Sequence, residues 1–173
     1  DPFWYGRLIS TASMLAAGLL IGLTLYTLTK DWLAALAAGL LLLAFPYVLH
    51  WSALNRVDSL ALGLSWAGLY LVVRWPERRW GLPLGAAFLT LSILTRQSYA
   101  LAAPFAAFVW LLREPPRRRA FKLVAWVGGL TLGAFGLLIL ITWGGFYLHT
   151  VTANVNPFYW DTVTRYAKEM WRN

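Results

Sequence analysis

The chain has 173 residues, of which 60% are hydrophobic, 16% aromatic and 13% charged, and its net charge is +8. Soluble domains carry roughly 25% charge and about 45–50% apolar residues, so this composition excludes an ordinary soluble globule. The absence of cysteine excludes disulfides, thiolate nucleophiles and cysteine-based zinc sites.

The apolar runs fall in chain order. Charge-free segments cover residues 8–29, 32–49, 59–73, 80–95, 97–112 and 123–143. A helix needs about 20 apolar residues to cross a bilayer, and the first and last runs meet that length. The three middle runs are shorter, and are expected either to sit behind other helices, to be extended by snorkelling Arg74, Arg96 and Arg113, or to form a re-entrant hairpin over residues 80–112. The expected fold is therefore all-α: a polytopic transmembrane bundle of about six hydrophobic helices over residues 1–143. Residues 144–173 read as an extracytoplasmic loop followed by an amphipathic interfacial helix, with Trp160, Val163, Ala167 and Trp171 on one face. The chain opens on Asp1, and residues 8–29 are too long for a signal-peptide core and lack a basic leader, so it is expected to start inside a longer polypeptide.

Charge orients the spans. If they alternate, Lys30, the Arg74–Arg79 loop and the Arg113–Lys122 loop share one side, and the other side holds only Arg7, Arg56 and Arg96. The positive-inside rule puts the basic loops in the cytoplasm and both ends of the chain outside. Cations placed between apolar runs argue against nucleic acid as a partner and for membrane lipids. The Arg113–Lys122 loop is expected to enforce topology and touch anionic headgroups. Trp4, Trp51, Trp75, Trp80, Trp110 and Trp143 lie near segment ends, as an interfacial aromatic belt does. Gly18–Gly22, Gly81–Gly85 and Gly129–Gly133 are spaced for close helix packing.

The polar residues that fit chemistry lie on the side opposite the basic loops. Asp58 stands where the third span begins, with Arg56 two residues before it and His50 earlier in the same outer loop. A carboxylate there either caps the helix and pairs with Arg56, or serves as a base or cation ligand at membrane depth. Arg96 and Gln97 occupy the next outer turn, which continues to Ser98 and Tyr99, and the two turns together form a pocket suited to an anionic headgroup. His50 reads either as an interfacial residue or as a substrate contact, and Asn154 either as a turn former or as a substrate contact. The two histidines, His50 and His149, have no metal-ligand spacing, and no metal motif occurs.

Several short stretches carry a family resemblance. Phe3–Ser10 resembles the segment after the first outer loop of GT-C membrane glycosyltransferases, in particular the bacterial protein mannosyltransferase and aminoarabinose transferase group. Arg56–Val57–Asp58–Ser59–Leu60–Ala61–Leu62 is similar to their Arg-x-Asp-x-Leu-Ala-Leu helix start. Leu94–Thr95–Arg96–Gln97–Ser98 is similar to their Leu-Thr-Lys-Gln-Ser/Thr turn, with arginine in place of lysine. Asn154–Val155–Asn156–Pro157–Phe158 resembles an Asn-x-Asn-Pro-Phe stretch found later in such chains.

The resemblance implies a transferase that moves a sugar from a polyprenyl-phosphate donor to an extracytoplasmic acceptor, with inversion, in a bacterial inner or plasma membrane. It implies that the principal catalytic carboxylate lies in a loop before Asp1, that Asp58 is a further catalytic acidic residue, and that Arg56, Arg96 and Gln97 face the lipid phosphate. Some relatives use a divalent metal, and no other cofactor is implied. A transporter or flippase for a lipid-linked or anionic substrate is the competing reading, using the same arginines without chemistry.

Overall fold

A computed structural model describes residues 3–52, 54, 56–152 and 160–172. The described residues are mostly helical, without strands, and carry large apolar side chains on their outside, among them Leu19, Leu41, Leu132 and Leu140. A monomer in water does not expose such surface, whereas hydrocarbon solvates it. Among the described residues, three helices are long and apolar enough to cross a membrane: α1 (Trp4–Thr29), α4 (Val57–Arg74) and α7 (Arg118–Ile141). Between them lie the shorter α2 (Trp32–Ala44), α3 (Pro46–Ser52), α5 (Gly81–Thr95) and α6 (Ala102–Arg113).

Local chemistry sets the breaks. Helix α1 ends at Lys30, whose amide still donates to the Tyr26 carbonyl at 2.9 Å and whose left-handed backbone (φ 59°) then turns the chain out of the helix. Asp31 then caps α2: its Oδ1 accepts from the amides of Leu33 (2.9 Å) and Ala34 (3.2 Å). A two-residue connection thus folds α2 back along α1. The apolar run over residues 32–49, expected as one span, is divided. Pro46 pushes Phe45 into extended backbone (φ −68°, ψ 119°), which ends α2 and starts α3. The run over residues 97–112 is likewise divided into a 3₁₀ turn (Gln97–Ala100) and α6.

Small residues bring the helices together. A Cβ at Gly39 of α2 would lie 2.6 Å from the Gly18 carbonyl oxygen, and one at Gly22 of α1 would lie 2.9 Å from that of Ala35. Of the three glycine pairs in the sequence, Gly18–Gly22 and Gly81–Gly85 pack against other backbone. At Gly129 and Gly133, a Cβ would meet no described atom within 4 Å. Helices α4 and α5 pack antiparallel, with Gly68 against Gly85. Ser92 Oγ donates to the Ala61 carbonyl (2.8 Å), which uses its single hydrogen, so Ser65 is the donor in the 2.7 Å Ser65–Ser92 bond. The buried core lies among α4, α5, α6 and the first turns of α7, where Val72, Leu89, Leu111 and Leu123 meet.

Two compact units result, residues 1–133 and 134–173. The second contains α8 (Gly145–Thr150) and α9 (Trp160–Arg172). At the start of α8, Gly144 takes a φ of 84°, and Thr142 Oγ1 accepts from the Phe146 amide at 2.8 Å. Helix α9 covers the stretch read as amphipathic, and its Trp160, Tyr166 and Met170 are exposed.

Candidate functional site

The polar residues of the two outer turns meet at the N-terminal end of α4. Arg56 is the N-cap position, in extended backbone, and its side chain makes no cap hydrogen bond. Asp58 lies in the first helical turn, where the exposed amides favour negative charge. Its two oxygens are divided between two guanidiniums: Arg56 Nε donates to Oδ2 at 3.3 Å, and Arg96 Nη1 pairs with Oδ1. Arg96 reaches it from the C-cap of α5, because antiparallel packing brings the end of α5 beside the start of α4. Ser98 Oγ accepts a further bond from Arg96 Nε at 3.1 Å. Two cations on one carboxylate leave the cluster with net positive charge.

Tyr99, on the 3₁₀ turn between α5 and α6, closes the cluster. Its hydroxyl donates to the Asp58 carbonyl oxygen at 3.5 Å. Burial, and secondarily the Asp58 charge, push the phenol above its ordinary value of 10.0, with Arg96 acting in the opposite direction. Tyr99 is therefore a neutral donor at physiological pH.

These groups line one side of a cavity of about 300 Å³. The other side is apolar or amphipathic: Met14 comes from α1, and Tyr47 and Val48 from α3. The division of the second apolar run at Pro46 gives α3 its own direction and supplies this wall. Of the residues expected at the site, Asp58, Arg56 and Arg96 are brought together around the cavity. Gln97 is exposed on the 3₁₀ turn, and His50 is exposed on the same short helix as Tyr47 and Val48; neither lines the cavity. Asn154 lies outside the described residues. Tyr99 is expected from the sequence only as part of the second outer turn, without a role of its own, and nothing in the local sequence marks Met14 or Tyr47. Among the described residues no three of His, Asp or Glu converge, and Asp58 is already held by two arginines, so these residues do not fit a divalent metal.

The arrangement is suited to a phosphate. Arginine presents a planar fork of donors to oxyanions, and two of them stand at a mouth whose opposite wall accepts hydrocarbon. No curated protein and no solved structure matches the chain. The family model for dolichyl-phosphate-mannose-protein mannosyltransferase matches residues 1–143, well over half the sequence. The helical bundle agrees with that match, and the chain belongs to the dolichyl-phosphate-mannose-protein mannosyltransferase family, as a membrane glycosyltransferase of the GT-C type that uses a lipid-linked donor.

Proposed function

We propose that the protein transfers a sugar from a polyprenyl-phosphate donor to an acceptor on the non-cytoplasmic side of the membrane. The observation that carries this reading is the pair of arginines held on Asp58 at the mouth of the cavity. The donor's phosphate binds Arg96 and Arg56, and the first isoprene units lie against Met14, Tyr47 and Val48. The basic loops stand at the opposite end of α4 and α5, and under the positive-inside rule this supports a cavity on the non-cytoplasmic side.

In this reading an acceptor hydroxyl or amine attacks the anomeric carbon. The bond between that carbon and the phosphate oxygen breaks, and the electron pair leaves with the polyprenyl phosphate. Cationic donors aimed at that oxygen stabilise the charge as it develops. Asp58 orients the guanidiniums before the donor arrives. When the phosphate draws them away, its oxygens are released to accept the acceptor's proton. Tyr99 stays protonated and donates beside them. Gln97, exposed on the 3₁₀ turn, and His50, exposed on α3, are further candidate substrate contacts, and Asn154 is a candidate from the sequence.

The test is transfer from radiolabelled polyprenyl-phosphate sugars by the intact protein in membranes, beside Asp58→Asn. Label reaching an acceptor, and lost in the variant while insertion is normal, supports the reading. Binding of the lipid without any transfer would replace it with a transporter.

A further inference from the structure

A second charged cavity lies at the other end of the bundle, and the proposed transfer reaction does not use it. Its volume is about 390 Å³, within the range of small-molecule pockets. Two connections form it: the one between α4 and α5, and the one from α6 into α7. Arg119 ties them together. Its Nη2 donates to Glu77 Oε1 at 3.0 Å and its Nη1 to the Pro115 carbonyl at 3.2 Å, and its side chain is only 19% exposed.

This tie decides the charge of the cavity. Glu77 is the one acidic residue among those lining it, and Arg119 neutralises it. Arg78, Arg79, Arg118 and Lys122 also line the cavity, all exposed, so four cations face it beyond the paired Arg119. Four like charges around one space repel each other, and an anion between them relieves that repulsion.

Its depth follows from the aromatic residues. The Trp75 and Trp80 rings lie 5.0 Å apart in the α4–α5 connection, inclined at 52°, and the Arg74 guanidinium stands over the Trp75 ring at 5.7 Å. Trp126, 46% exposed, forms part of the cavity wall with Leu82. Tryptophans of this kind sit at headgroup level, with hydrocarbon on one side and water on the other. Cations above an apolar wall at that depth match a phosphate carried on a lipid.

We propose that this cavity is a binding site for a phosphate-bearing lipid headgroup of the leaflet opposite the Asp58 cluster. The phosphate oxygens accept from Arg78, Arg79, Arg118 and Lys122, and the glycerol end rests on Leu82 and Trp126. Basic pockets between transmembrane helices on the cytoplasmic side recognise headgroups by this chemistry. The proposal stands on the cavity alone and does not depend on the transfer reading.

The experiment uses the intact protein in phosphatidylcholine nanodiscs doped with phosphatidylglycerol, with bound lipid counted by native mass spectrometry. The variants are Arg78→Gln with Lys122→Gln, and separately Arg79→Gln with Arg118→Gln, both leaving the Arg119–Glu77 tie intact. Arg56→Gln reports on the opposite end. A saturable phosphatidylglycerol adduct is expected, about tenfold weaker or more in each double variant and retained in Arg56→Gln. Inorganic phosphate, added to the same protein without phosphatidylglycerol, separates the sources. Saturable binding of phosphate with no lipid preference would move the site to a soluble ligand and overturn the lipid assignment. Equal lipid binding in wild type and in both double variants, with unchanged thermal unfolding, would overturn the site itself.

Discussion

Arg96, at the end of α5, holds Asp58, in the first turn of α4, while the same carboxylate also receives Arg56. The pairing is non-local and depends on the antiparallel packing of α4 and α5. Asp58→Asn keeps the shape and removes the charge that orients both guanidiniums. Transfer from a polyprenyl-phosphate sugar is expected to fall at least about a hundredfold in Asp58→Asn and in Arg96→Ala, the scale on which losing one transition-state donor is felt. Arg96→Lys, which keeps charge without the fork, is expected to fall between these and wild type. Initial rates at saturating donor, with membrane insertion followed in parallel, check both. Wild-type turnover in Asp58→Asn removes the site assignment.

Tyr99 gives a pH signature. Its phenol is held above the ordinary value of 10.0 by burial and by Asp58, so the folded form keeps its proton longer than the unfolded chain does. At neutral pH both states are protonated and the group makes no pH-dependent contribution. Above the unfolded value the unfolded chain ionises first and binds fewer protons, so stability falls as pH rises until Tyr99 ionises in the fold as well. Tyrosinate absorbance is expected to show a late-titrating group in the wild type that is absent from Tyr99→Phe.

The glycine contacts separate packed from unpacked faces. Gly39→Ala drives a methyl group to 2.6 Å from the Gly18 carbonyl oxygen, so α1 and α2 must part. A loss of about 1–3 kcal/mol is expected. Gly129→Ala meets nothing described within 4 Å and gains helix propensity, so it is expected to be neutral or stabilising by up to about 1 kcal/mol. Unfolding in detergent, followed by circular dichroism, distinguishes the two.

Two buried serines should respond in opposite ways. Ser92→Ala loses the bond to the Ala61 carbonyl and strands Ser65, and is expected to cost about 0.5–2 kcal/mol. Ser10 is 1% exposed, and its hydroxyl finds no partner among the described residues. Ser10→Ala removes a buried polar atom without breaking a bond, and is expected to be neutral or stabilising in the same unfolding assay.

Much of the bundle was legible in the spacing of charges, because an apolar run without charge has few alternatives to a helix in lipid. The long runs near residues 8–29 and 123–143 correspond to α1 and α7. The division of α2 from α3 was also present in the sequence, in Pro46, but hydropathy alone passes over it. Asp58, Arg56 and Arg96 stood out because charges at span ends are rare. Tyr99, Met14 and Tyr47 did not, since an aromatic or a methionine near a span end is ordinary and only the helix packing brings them to the cavity. The Arg119–Glu77 tie was illegible for the same reason. It joins the α4–α5 connection to the first turn of α7, whose separation in the chain says nothing about their distance in space.

The break at Pro46 has a consequence for hydration. Proline offers no amide hydrogen, so the carbonyl of Leu42 has no helical donor four residues ahead. Hydrocarbon does not tolerate such an oxygen, whereas water or a polar side chain does. The end of α2 is therefore expected at a level that water or a polar side chain reaches, and α3, with the wall it gives the cavity, begins there. A lipid entering from the side would leave the hydrocarbon as it arrived, and its reacting carbon would meet an acceptor coming from the aqueous phase at the one level where both are soluble.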